Sequence, residues 1–185
     1  MVGHPALATL AILLGAILPQ YRLPPEEWTR QKYAQEGEYF LASAPLAREI
    51  DALLAPDETF YEWGAETGLY FVSGRRAPTG LTSMYPLLAG PLTRTLAARV
   101  IADLERARPE LVVVARAAFP PAAQVGANPV TAWIAANYRP FPESAERGPF
   151  GLLVRTGGAL AARLAAPAHA AQEVPAPSGT AEARL

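Results

Sequence analysis

A chain of 185 residues with a formal net charge of −1 is long enough for one domain with a sizeable core and flanking segments. That balance gives no electrostatic case for a nucleic-acid partner, which needs a basic face. The absence of cysteine excludes disulfides, thiolate metal sites and cysteine nucleophiles, and the two histidines, His4 and His169, have no partners for a Ser-His-Asp triad or a metal site. No metal or cofactor is expected.

The first element is the uncharged run PALATLAILLGAILP at positions 5–19. As a helix between its two prolines it covers about 22 Å at ~1.5 Å per residue, short of the ~30 Å hydrocarbon core of a bilayer. It is apolar on every face, unlike a packed surface helix. A secretory signal would need a basic start, and Met-Val-Gly-His supplies none. We read residues 1–20 as membrane-entering, the end of a transmembrane helix.

Arg22-Leu-Pro-Pro breaks the chain, and Pro25, Glu26 and Glu27 suit a helix's first turn. The spacing predicts helix to about Gln35, with Gly37 as a break. Leu46, Ile50, Leu53 and Leu54 share one face of a second helix from Pro45, stopped before Pro56. DETFYEWG reads as a short strand. Leu92, Leu96, Val100, Ile101 and Leu104 recur at helical spacing, and Pro109 ends that element. ELVVVAR is a continuous apolar run, as expected of a strand buried on both faces in a parallel sheet. Asn128 and Pro129 are N-cap and first residue of a helix that turns Val130, Trp133 and Ile134 inward. GPFGLLVRTG is a last strand.

This alternation predicts an α/β domain over residues 21–156, a small and mostly parallel sheet flanked by helices and preceded by the apolar transmembrane helix. From Gly157 to Leu185 alanine and proline dominate, and the segment reads as a disordered tail.

The stretch FYEWGAETGLYFVSGRRAPTG, at 60–80, carries the candidate chemistry. Its glycines fit neither a dinucleotide fingerprint nor a P-loop. Ligands of parallel α/β sheets sit beyond the carboxyl ends of strands, so Glu62, Trp63 and Glu66 would line a polar cleft there. The plainer reading, which takes the lead, buries Trp63 and leaves both glutamates in solvent. Arg75 and Arg76, beside Thr79, match phosphate geometry. Adjacent arginines usually point apart, so the plainer reading pairs one of them with Glu62 or Glu66. Tyr70 and Phe71 read as packing residues. TSMYP, at 82–86, is either a membrane-facing loop or the lead-in to the next helix.

The order of these motifs resembles the C-terminal extracytoplasmic domain of bacterial polytopic glycosyltransferases of family 39, in the GT-C superfamily, which includes protein mannosyltransferases and the aminoarabinose transferases of lipid A. The residues that carry the resemblance are Trp63-Gly64, Tyr70, Ser73-Gly74-Arg75-Arg76-Ala77-Pro78-Thr79, Pro109-Glu110-Leu111-Val112-Val113-Val114, Tyr138 and Arg155. The resemblance runs from about Tyr33 to Arg155. It implies a cell-membrane protein that moves a sugar from a polyprenyl-phosphate carrier, with this domain outside the cytoplasm. The family's catalytic acidic loop lies in its membrane core and has no counterpart here, so no catalytic residue is assigned. The lipid-linked donor would be held by that core, and Glu62, Tyr70, Arg75 and Arg76 form the candidate substrate-binding set. The alternative is a self-contained, membrane-anchored α/β binding module.

Overall fold

A computed structural model describes residues 3–142 and 147–166, and at its centre lies the apolar run Leu111–Ala115. This strand, β2, is buried along its whole length. Its neighbour β1 (Phe60–Trp63) pairs with it in parallel, Phe60 opposite Leu111 and Trp63 opposite Val114. On its other side lies β4 (Phe150–Arg155), antiparallel, with Leu111 opposite Val154. A short strand not anticipated from sequence, β3 (Tyr138–Pro140), forms the far edge and is antiparallel to β4. The order is β1-β2-β4-β3.

The sheet is therefore mixed, not mostly parallel, and connection length explains the correction. The chain passes from β1 to β2, and from β2 to β3, through helices, which return it to the same end of the sheet. Between β3 and β4 only residues 141–149 intervene, with no helix among those described. A connection that short reverses the chain, so β4 comes back antiparallel between β2 and β3.

Helices cover both faces. On one side α3 (Gln35–Leu53), α4 (Gly68–Ser73) and α8 (Ala159–Ala165) bury Ile50, Leu69 and Leu160 against Phe60, Val113 and Val154. On the other, α5 (Tyr85–Leu88), α6 (Thr93–Ala107) and α7 (Pro129–Asn137) bury Leu87, Leu104 and Ile134 against Tyr61, Trp63 and Val112. Two covered faces are why β2 is apolar at every position; each such side chain contributes ~1.5–3 kcal/mol of burial. Asn128 caps α7 as expected: its side-chain oxygen accepts from the Val130 N–H at 2.9 Å, and its amide donates to the Leu87 carbonyl at 2.7 Å.

The break expected at Gly37 falls instead at Ala34, whose φ of +49° separates α2 (Pro25–Tyr33) from α3. Gly37 lies inside α3 because the two helices meet there: a Cβ would stand 2.9 Å from the Thr29 carbonyl oxygen. Helix α3 then continues through Pro45. The segment from Gly157 also departs from expectation, since α8 docks Leu160 and Ala161 into the core. The rest of the expected tail, 167–185, lies outside the described residues, as does His169.

The apolar run forms α1 (Gly3–Ile17), followed by a turn of 3-10 helix over Leu18–Arg22. Every residue from 6 to 22 is exposed, Leu7 and Ile12 at 67% and 73%. Among the described residues no helix is long and apolar enough to cross a membrane, which corrects the expectation of a spanning segment. Fifteen residues are too few.

Candidate functional site

The Ser73–Thr79 corner is built from the end of α4. Ser73 Oγ donates to the Leu69 carbonyl at 2.7 Å, and Gly74 takes a left-handed φ of +67°. The Gly74 N–H then donates to the Phe71 carbonyl and the Arg75 N–H to the Tyr70 carbonyl, the paired bonds that close a helix on a left-handed residue. That turn sends the Arg75 side chain, only 9% exposed, into the carboxyl end of α3. Its guanidinium donates to the carbonyls of Leu54 (2.9 Å), Ala55 (2.7 Å) and Glu58 (2.8 Å), and to Asp51 Oδ1 (2.8 Å). It also donates to the Asp51 carbonyl (3.2 Å) in the last turn of α3, where a cation is favoured, while the other three carbonyls belong to the C-cap and the loop that follows. Both terminal nitrogens of Arg75 are thus committed to this corner, while its buried Nε has no hydrogen-bond partner among the described residues.

Arg76 is exposed beside it, and its carbonyl accepts from Thr59 Oγ1 at 2.7 Å. Both arginines lie at the amino end of β1, in a shallow hollow whose other charged walls are Asp51, Asp57 and Glu58. The expected pairing with Glu62 or Glu66 does not occur: Arg75 pairs with Asp51, and the two glutamates lie toward the opposite end of the strand.

Glu62 is the surprise of β1. The reading that left it in solvent is overturned, for it is 1% exposed, while Trp63 fills the core as expected and donates from its indole nitrogen to the Ala118 carbonyl at 3.2 Å. Alternation along β1 puts Glu62 on the same face as Phe60, beneath α3 and α4. Tyr70, stacked on Phe60 with ring centroids 4.5 Å apart, presents its hydroxyl oxygen to the Glu62 backbone N–H at 2.9 Å. Since β1 is an edge strand, this contact covers an N–H that has no ladder partner. Tyr70 is thereby buried, with its hydroxyl bound to the backbone of β1.

The Glu62 carboxyl turns back over Gly64. A Cβ on Gly64 would stand 2.0 Å from Glu62 Oε1 and 3.1 Å from the Ala115 Cβ. Both carboxyl oxygens are buried without a hydrogen-bond partner among the described residues. Burial pushes the group up to about 8; the Glu66 backbone N–H partly offsets this without completing a bond, and the Glu66 charge adds to it. Burial also raises Glu66, half-buried, whose Oε2 lies 3.3 Å from Ser43 Oγ.

Gly64, Ala65 and Glu66 from the end of β1, and Ala115, Ala117 and Ala118 from the end of β2, form the floor of an open cleft of about 720 Å³. Its walls are Tyr33 from the end of α2, Glu36, Tyr39 and Phe40 from α3, and Met84, Tyr85 and Leu88 at α5. The cleft lies beyond the carboxyl ends of the parallel strand pair, where open α/β sheets bind ligands. Tyr85, Leu88 and Phe40 are 64%, 52% and 47% exposed. Of the candidate set only Glu62 adjoins this cleft. Within TSMYP, Tyr85 and Pro86 open α5 with Met84 as its N-cap, and Met84 and Leu87 are buried. The α3 contribution was missed; its signal was a Tyr39-Phe40 pair on a helix otherwise rich in small and charged residues.

The remaining motif residues form a second structural knot. Arg155 pairs with Glu110 through Nε at 3.0 Å and through Nη2, and Glu110 Oε2 accepts from the Leu160 N–H at 2.9 Å, in the first turn of α8. Tyr138 Oη donates to the Pro109 carbonyl at 2.7 Å. No protein-family model, curated protein or solved structure matches this chain.

Proposed function

We propose that this chain is the membrane-proximal, extracytoplasmic domain of a polytopic glycosyltransferase of the family 39 type, one that takes its sugar from a polyprenyl-phosphate carrier. The observation that carries the reading is α1. It is apolar on all sides, exposed from Ala6 to Ile17, and runs into a domain bearing the Trp-Gly and Ser-Gly-Arg-Arg-Ala-Pro motifs in family order. Water-exposed apolar surface on this scale is unfavourable in a lone soluble chain, whereas burial in lipid removes the cost.

On this reading, sugar transfer belongs to acidic residues of the membrane core, and the present domain caps that core. The motif residues serve the cap's architecture: Arg75 ties the corner to α3, and Glu110 with Arg155 ties the sheet to α8. The test has two arms. The chain mixed with phosphatidylethanolamine–phosphatidylglycerol vesicles should float with them, and Leu10→Arg/Leu14→Arg should leave it in the aqueous fraction. The reading frame upstream of Met1 should encode a series of transmembrane helices. A chain that never floats, or an upstream region without such helices, overturns the reading.

A further inference from the structure

We infer that the α/β body lies against the surface of the bilayer that α1 enters, through an apolar strip running from the end of α1, along α2 and α3, to the uncharged segment 77–93. The inference rests on the reading above for the presence of that bilayer, and names the face of the body that meets it.

No residue between Arg76 and Arg94 carries a charge. Within this segment Leu87 is fully buried, and its carbonyl accepts from the Asn128 side-chain amide at 2.7 Å. The Pro86 carbonyl accepts from Thr93 Oγ1 at 3.2 Å, which ties the two ends of the loop together. So anchored, the loop turns Tyr85, Leu88 and Leu92 outward, Leu92 at 63% exposure. Leucines held in water by a tied loop mark a surface that meets something apolar.

Continuity with α1 identifies that partner as lipid. Tyr85 and Leu88 share the walls of the cleft with Phe40 and Tyr33. The Tyr33 ring stands edge-on to Phe40, centroids 4.9 Å apart, and to Trp28, centroids 6.0 Å apart. Trp28 in turn shares a hollow with Tyr21 and with Ile17, the last residue of α1. Tyr21, Trp28, Tyr33 and Tyr85 each join an apolar ring to a polar tip, the side chains that collect where water meets lipid. Lys32, whose Nζ lies 4.5 Å from the Trp28 ring centroid, is a long-stemmed cation suited to the same level.

Glu36 and Glu66, which also line the cleft, limit the depth, because carboxylates are costly in hydrocarbon. The strip therefore rests among the head groups, with Leu88 and Leu92 reaching about 5–10 Å into the boundary with the acyl chains. Such a contact is weak alone, and α1 makes it effective by tethering the body beside the surface.

The chain has no native cysteine, so one bimane fluorophore can be attached after Leu88→Cys, Leu92→Cys or, at the far end of β1, Arg76→Cys. Each whole chain is placed on zwitterionic phosphatidylcholine vesicles by two routes. One is α1 itself; the other, with Leu10→Arg/Leu14→Arg in place, is an N-terminal histidine tag on nickel-chelating lipid. Labels at Leu88 and Leu92 should lose emission to a nitroxide at the top of the acyl chain and be shielded from iodide in the water, at low and high salt alike. The label at Arg76 should do the reverse, and Leu92→Glu should return the label at Leu88 to water. Quenching at Leu88 and Leu92 by either route sustains the inference. Labels that stay in water by both routes overturn it, as do equal quenching at Arg76 and quenching that salt abolishes. Shielding that needs no vesicle and grows with protein concentration also overturns it, and assigns the face to a second copy of the chain. Where α1 enters vesicles and the labels stay in water by both routes, this inference alone falls. Where the chain never floats yet is quenched on the tether, the reading of α1 alone falls.

Discussion

At the scale of single residues, Glu62 decides most. Its carboxyl ordinarily titrates at 4.5, and burial in the fold, with the Glu66 charge beside it, raises that to about 8. Between these values the folded chain holds a proton that the unfolded chain has released, so stability falls as pH rises through this window and levels above it. Glu66 shifts in the same direction. Glu58, lowered by its bond to Arg163, acts oppositely and only on the acid side of the window. Urea unfolding at about pH 5 and about pH 9 should therefore show the chain less stable at the higher pH by on the order of 3 kcal/mol. Glu62→Gln should flatten most of that slope; an unchanged slope would mean the carboxyl is not held neutral. Gly64→Ala probes the same contact sterically. The added methyl collides with Glu62 Oε1 and should cost about 1–3 kcal/mol. Combined with Glu62→Ala it should cost much less than the sum of the two, because the clash is gone.

Among elements, the corner between α4 and β1's amino end shows how a motif can look chemical and be architectural. Two adjacent arginines after a glycine fit phosphate on paper. What sequence could not reveal is that Gly74 closes α4 and aims Arg75 at carbonyls on the end of α3, about twenty positions earlier in the chain. Arg75→Ala takes a donor from the Leu54, Ala55 and Glu58 carbonyls and the counter-charge from Asp51, and should cost about 2–4 kcal/mol. Arg75→Lys should recover little, since an ammonium cannot reach carbonyls on both sides as the fork does. Arg76→Ala should stay within about 0.5 kcal/mol. Denaturation midpoints check all three, and equal costs for Arg75 and Arg76 would remove the capping argument. Elements with strong local signals were legible beforehand: the apolar run of β2, the Asn128–Pro129 start of α7 and the helical spacing of Leu96, Val100 and Leu104 in α6, though Leu92 precedes that helix and is exposed. Those set by distant partners were not. Strand β3 is three residues long and exists only because β4 folds back beside it. Glu62 was unreadable for the same reason, since its burial is imposed by α3 and α4 packing over an edge strand.

For the whole molecule, the carboxyl end departs from the role that composition assigned it. The N-terminal run, read as membrane-entering, is exposed over residues 6–22; the segment after Gly157 looks like tail and begins with a docked helix. Composition reports how apolar a segment is, and only tertiary contact decides whether protein covers it. Because α1 meets the rest of the chain chiefly through the turn at Leu18–Arg22, the α/β body owes it little stability. Removing residues 1–22 should leave a cooperative unfolding transition with its midpoint within about 3 °C of the intact chain's, while vesicle flotation is lost. Ending the chain at Gly157 should do the opposite. It strips Leu160 and Ala161 from the core and deprives Glu110 Oε2 of the Leu160 N–H, leaving a buried carboxylate held only by Arg155. Loss of one buried leucine and one charge-assisted bond together approaches about 4–6 kcal/mol, a large part of a small domain's total stability. The shortened chain should melt at least about 10 °C lower yet still float with vesicles through α1. A body that collapses without α1, or that tolerates the loss of α8, would show that the core has been drawn around the wrong end of the chain.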